Sequence, residues 1–455
     1  MIATKTEQRE AKGKVLVFGF LVAVLMAACL LLTARLAQAA TFTVNSTGDS
    51  GDNNPGNGSC DTGVRVPGPG VGLVPECTLR AAIQETNAND NDATVVDAIH
   101  FNIGGSGVKT IQPTSGLPDL TEAVTIDGYT QPGSKPNTLA SGNNAAPKIE
   151  LDGTNAGSAS GLGLATDGNV IRGLVINRFV AYGVGISTGS TENKIEGNFI
   201  GTDATGTLDL GNGISGVTIF DAPNNTVGGT APAARNVISG NENFGVAIQG
   251  DDNKVQGNYI GTNRNGTADL GNTLDGVGIM GGASGNTVGG ATGARNTIAF
   301  NGSSGVTVFS GVRNRILSNS IHSNDALGID LGGDGITPND PGDPDTGPNN
   351  LQNFPVITSA KTGRRATTIK STFDSAPAGT FIIHFYSSPK GTRDEGKTFI
   401  GETFVTDNDG DGIITTFPFK SARKVKPGLF VTATATTDGP AADTSEFSAP
   451  RKVRG

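Results

Sequence analysis

The acidic residues with the clearest chemical potential are Asp251 and Asp252, adjacent in the segment QGDDNKVQG. Asp221 stands about one repeat earlier, at nearly the same phase. Glycoside hydrolysis needs one carboxylic acid and one carboxylate roughly 5–9.5 Å apart, and neighbouring windings of a repetitive chain could present such a set. No His- or Arg-bearing catalytic segment accompanies the adjacent aspartates. The nearest downstream histidine, His322, lies apart in NSIHSND. Turn aspartates on a solvated corner are the plainer reading. A lyase would instead need a calcium-binding acidic set and a basic residue of lowered pKa. Arg235 and Arg295 recur at one phase, in AARNVISGN and GARNTIAFN. A residue that obeys the repeat is expected to stack or tether a loop, because a catalyst breaks repeat symmetry.

Two further groups suit calcium. Asp407, Asp409 and Asp411, followed by Gly412 and Ile414, follow the first half of an EF-hand-like loop. Its twelfth position is Pro418, so the bidentate glutamate is missing and a strand-joining turn competes with the metal reading. Asp334, Asp340, Asp343 and Asp345 form a second oxygen-rich loop. His100, His322 and His384 show no metal spacing.

These residues are positioned by a repeat. The ten residues NKIEGNFIGT from Asn193 return as NKVQGNYIGT from Asn253. A shorter beat runs inside, marked by GVGIS at Gly183, GVTIF at Gly216, GVAIQ at Gly245, GVGIM at Gly276 and GVTVF at Gly305. Asn193, Asn225, Asn253, Asn286 and Asn314 follow these strands, and each has Ile or Val two places on. In a solenoid, like positions of successive windings lie about 4.8 Å apart, so identical Asn residues can hydrogen-bond up the stack while Ile and Val fill a shared interior. The expected fold is all-β: a right-handed parallel β-helix with an N-terminal capping helix, followed by a small antiparallel β-sandwich. The helix falls in CTLRAAIQETNAND, where Leu79, Ala82 and Ile83 share a face. From Phe354 the pattern changes to alternating strands such as GTFIIHFYSSP and GLFVTATATT, as expected for an immunoglobulin-like sandwich. The expected divisions are 1–39, 40–148, 149–353 and 354–455.

Lys5, Arg9, Lys12 and Lys14 precede an apolar run from Val15 to Leu32, and AQAA ends at Ala40. This reads as a secretory signal peptide cleaved near Ala39, with a retained anchor as the alternative. Of the 455 residues, 33 are Lys or Arg and 42 are Asp or Glu. Cleavage would remove five basic and two acidic residues, leaving 28 against 40, or about −12. Such a surface disfavours nucleic acid and anionic membranes, and no membrane span is expected in the mature chain. Cys60 and Cys77 then read as one disulfide of an exported protein.

CTLRAAIQETNAND, VTIDGYTQPG, GNFIGTDATGTLDLGN, LGIDLGGDGITPNDPGDPDTGPNNLQNFPV and FVTATATTDGPAADTSEFS together resemble one family. It comprises bacterial secreted β-helix proteins with a CSLREA-type N-terminal motif and a terminal sandwich. Here Thr78 replaces Ser and Ala81 replaces Glu. The resemblance implies export and a β-helix, and carries no defined reaction. The expected function is therefore a secreted or surface-exposed structural or binding module, adhesin-like and suited to a glycan or cell-surface component. The alternative is a lyase or hydrolase of acidic polysaccharide. No cofactor other than calcium is expected. Absence of Trp and only four Tyr leave few stacking platforms for sugars, although 20 Phe are present.

Overall fold

The computed structural model describes residues 39–68, 72–89, 96–377, 379–389, 395–439 and 442–455. Of the signal segment read at residues 1–39, residues 1–38 lie outside them. Three parallel sheets of nine, eight and seven strands stack along one axis. The first sheet runs from Thr41–Val44 to Arg315–Leu317, the second from Lys109–Ile111 to Ser320–His322, and the third from Leu162–Leu164 to Ile329–Leu331. In the repeats, each winding visits the first, second and third sheets in turn. The chain is a parallel β-helix.

The register shows why like residues recur. Ile195, Val227, Val255, Val288 and Ile316 pair in one line across the first sheet, and all point into the core. No single winding could bury these side chains; the stack buries them against their own copies. The sixty-residue echo spans two windings because corner lengths alternate. Gly197–Asn198 and Gly257–Asn258 join the first and second sheets directly, whereas residues 229–236 and 290–296 make the same step by a longer path.

The expected Asn ladder is present and longer than its five predicted members. Each backbone N–H donates to the side-chain Oδ1 of the next, from Asn169 through Asn193, Asn225, Asn253, Asn286 and Asn314 to Asn349, at 2.8–3.1 Å. Two further ladders occupy the other corners: Asn198, Asn236, Asn258, Asn296 and Asn319, and Asn212, Asn241, Asn272, Asn301 and Asn324. Buried corners carry backbone donors that no strand satisfies, and the amide oxygens satisfy them.

Both ends of the stack are closed. At the N-terminal end α1 (Leu79–Ala88) begins with Thr78 as N-cap, accepting from the Ala81 amide at 3.0 Å. Threonine thus keeps the capping function of serine, while Ala81 stands at the third helical position, where a carboxylate would complete a capping box. Leu79, Ala82 and Ile83 enter the core, and the Cys60–Cys77 disulfide ties the preceding loop to the helix start.

At the other end, two antiparallel sheets, Val356–Thr362 with Thr367–Asp374 and Ile413–Lys420, and Thr398–Thr406 with Thr380–Ser388, Phe430–Thr437 and Arg451–Lys452, share a core of Ile369, Phe373, Phe381, Ile383 and Phe385. This sandwich also seals the last winding. The amides of Ile316, Ile321 and Leu331, one from the final strand of each parallel sheet, donate to Thr444 Oγ1 (3.0 Å), the Gly396 carbonyl (3.0 Å) and Glu446 Oε1 (3.1 Å). Glu395 accepts from Ser323 and Asn324, ending the third ladder. Tyr386 and Phe447 of the sandwich join the β-helix core. An open solenoid end exposes unpaired strand edges; here the second unit supplies the acceptors.

Candidate functional site

Asp252 is exposed and has φ 56°, immediately before ladder residue Asn253. The same left-handed corner position holds Glu192 (φ 58°), Asn224 (φ 60°) and Arg313 (φ 61°) in other windings. Side chains this different share only the backbone conformation, so the position serves the turn. Asp251 Oδ1 accepts from Ser284 N at 2.8 Å, bracing the corner to the next winding. Asp221 (φ 39°) is exposed four residues before Asn225, and its carbonyl accepts from Gly189 N. These aspartates lie on turns rather than on a sheet face.

Arg235 donates to the carbonyls of Gly257, Leu139, Gly142 and Ala140, and its guanidinium lies 4.7 Å from the Tyr259 ring centre. It tethers the excursion at residues 131–148, which covers the outer face of the second sheet by packing Ala145 on Val175, Phe199, Val237 and Tyr259. Arg295, its sequence counterpart, is exposed and lies 4.4 Å from the Phe399 ring centre of the sandwich.

The acidic loops separate in the same way. Asp407 accepts from the amides of Gly410 (3.1 Å) and Gly412 (2.9 Å), and Asp411 from Ile413 (2.8 Å). Those bonds make a turn between strands, although the Asp407, Asp409 and Asp411 ligand atoms lie within 4.8 Å of one another. Ligand atoms of Asp340, Asp343 and Asp345 also fall within 4.8 Å. Asp343 is occupied by Asn353 N, Gln352 Nε2 and Ser375 Oγ, and burial pushes its carboxyl up to about 6. Among the described residues, one buried oxygen each of Asp340 and Asp345 has no hydrogen-bond partner. Asp334 does not join this group; it lies in the bend after the strand Ile329–Leu331, close enough to Asp330 to act on its charge.

That third sheet carries the arrangement that sequence reasoning missed. Its outward row is Gly163, Gly185, Thr218, Ala247, Gly278, Thr307 and Asp330, paired winding to winding. Over this floor of small side chains lie Tyr182, Phe220, Phe244 and Phe309. A Cβ at Gly278 would come within 2.9 Å of the Phe244 ring, so only glycine admits the ring there. Tyr182 and Phe220 meet edge to face at 5.3 Å, and Phe244 and Phe309 at 6.2 Å. The rings are only partly covered, and Phe309 is 38% exposed.

The aromatic band ends at carboxylates. Buried Asp275 Oδ1 accepts from Ser304 N and Thr307 Oγ1, both at 2.8 Å. Asp330, next to Thr307 in register, is also buried. Burial first, and then the charges of Asp334 and Asp275, raise its pKa above the usual carboxylate range. A carboxyl biased towards protonation, as Asp330 is, suits a general acid. The available signal was Asp330 itself, which breaks a row otherwise limited to Gly, Ala and Thr.

The first sheet's outer face differs again: Lys194, Thr226, Lys254, Thr287 and Arg315 stand in line, a cation on every second winding.

No family model and no curated protein matches the chain. Among solved structures, a point mutant of the periplasmic alginate epimerase AlgG is similar at 15% identity and a TM-score of 0.31, over 51% of this chain and 58% of that one. A second structure of AlgG gives 15% identity and 0.30 over 54% and 58%. Geobacillus virus E2 ORF18 gives 11% identity and 0.23 over 79% and 69%. The chain thus spans less than two thirds of the epimerase, and likeness at this level carries no argument about activity. No helix among the described residues is long and apolar enough to cross a membrane.

Proposed function

We propose that this is an exported, polysaccharide-binding β-helix protein of the CSLREA type, with the glycan lying along the outer face of the third sheet. The observation that supports it is the band of Tyr182, Phe220, Phe244 and Phe309 over a floor of small residues. The C–H face of a pyranose ring packs on an aromatic ring while its hydroxyls stay in water, and aromatic anchors dominate such contacts. Retention in gels containing polygalacturonate, alginate, xylan or soluble cellulose derivatives tests the reading. The intact protein should be retarded by at least one polymer, and a Phe244→Ala, Phe309→Ala double variant should lose about tenfold in affinity. Retardation by none, or equal retardation of the variant, contradicts it.

A second reading, hydrolysis or elimination on the bound polysaccharide, draws on Asp275 and Asp330 flanking Thr307. New reducing or unsaturated ends, abolished by Asp330→Asn, would establish it. If Asp252→Asn abolished them instead, the chemistry would belong to the corner aspartates. Calcium binding by Asp340, Asp343 and Asp345 completes the proposal, supported by the partnerless buried oxygens of Asp340 and Asp345.

A further inference from the structure

A cleft of about 690 Å³ opens at the seam between the β-helix and the sandwich, away from the third-sheet face. Arg295 comes from a corner of the β-helix, whereas Arg423, Lys424 and Lys426 come from the segment leading to the strand Phe430–Thr437. The apolar part of the wall is Phe399, Ile400, Val425 and Leu429. All four cations are exposed, and among the described residues none has a carboxylate within 4.0 Å. Their convergence runs against a net charge of −9 for the chain.

We propose that this cleft binds an acidic oligosaccharide through its carboxylates. Four exposed cations around one concavity create a local positive potential that attracts anions. An apolar wall favours an anion with a hydrophobic face, which a uronic acid ring has and inorganic phosphate lacks. Arg295 already lies over Phe399, so it presents a guanidinium whose remaining N–H donors can take a carboxylate in bidentate fashion. A nucleic acid shares the charge but would need a longer basic track, and the acidic remainder of the surface repels a polyanion that extends beyond the cleft. The site is independent of the aromatic band, so either can fail without the other.

Calorimetric titration with tetragalacturonate, its fully methyl-esterified form and a short single-stranded oligonucleotide separates the possibilities. The intact protein should bind the free acid at low salt and bind the ester at least tenfold more weakly. Affinity should fall as salt rises towards physiological strength, where the screening length is about 8 Å. Arg423→Ala with Lys424→Ala, two exposed positions, should cost roughly fivefold or more in affinity for the acid. Arg295→Ala should weaken it separately, while Phe244→Ala should leave it unchanged. Equal binding of acid and ester, no effect of the cation substitutions, or an equally tight oligonucleotide would overturn the proposal.

Discussion

At the scale of residues, the two neighbours Asp252 and Asn253 carry opposite roles. Asn253 is fully buried; its Oδ1 takes the Asn225 amide at 2.8 Å and its Nδ2 donates to the Gly250 carbonyl at 2.9 Å. Asn253→Ala leaves both groups unpaired in the interior and should cost about 2 kcal/mol in chemical denaturation. Asp252→Asn, at an exposed left-handed position that asparagine tolerates, should stay within about 0.5 kcal/mol. The reverse ordering would mean that the ladder is not what holds the corner. The first ladder was legible because each Asn precedes an Ile or Val by two places. The third, through Asn212, Asn241, Asn272 and Asn301, had spacing as regular and could have been found from its fixed place four residues before Gly216, Gly245, Gly276 and Gly305. The second was hidden by corners of alternating length, since Asn198, Asn236, Asn258 and Asn296 are unevenly spaced.

At the scale of elements, strands and the capping helix follow from local pattern, while loops acquire their meaning only in three dimensions. Asp334, Asp340, Asp343 and Asp345 look like one acidic loop in the sequence. The fold leaves Asp334 in the bend after Ile329–Leu331, near Asp330, and brings the other three together. If that trio holds calcium, millimolar calcium should raise the melting temperature by a few degrees, through preferential binding to the folded state. Asp345→Asn should remove the shift, whereas Asp409→Asn, in the exposed turn, should retain it. No shift in the intact protein removes calcium from the account. The aromatic band was invisible for a related reason. Tyr182, Phe220, Phe244 and Phe309 flank different ends of their strands, and only the stacking of windings places them over one floor.

At the scale of the whole molecule, the sandwich belongs to the rod. The change of texture at residue 354 marks a second unit, but nothing in its sequence announces that Thr444, Gly396 and Glu446 end the three sheets and Glu395 the third ladder. Burial at the seam pushes Glu446 up to about 7, with Asp330 and Asp334 adding repulsion, and it raises Glu395 despite Lys397 nearby. A carboxyl whose folded pKa lies above its unfolded value of about 4.3 contributes fully below that value, and the contribution is lost as pH rises through the folded pKa. The seam should therefore be more resistant to denaturant at pH 5 than at pH 8. Glu446→Gln should flatten that difference; an unchanged pH slope would show that the seam does not titrate.

A crystal structure of the protein with an oligosaccharide cut from whichever polymer retards it most is the direct test of the proposed binding face. The account predicts pyranose rings against Phe244 and Phe309, with hydroxyls reaching Asp275 or Asp330. Sugar density over Lys194 and Lys254 on the first sheet, with the third face bare, would contradict it.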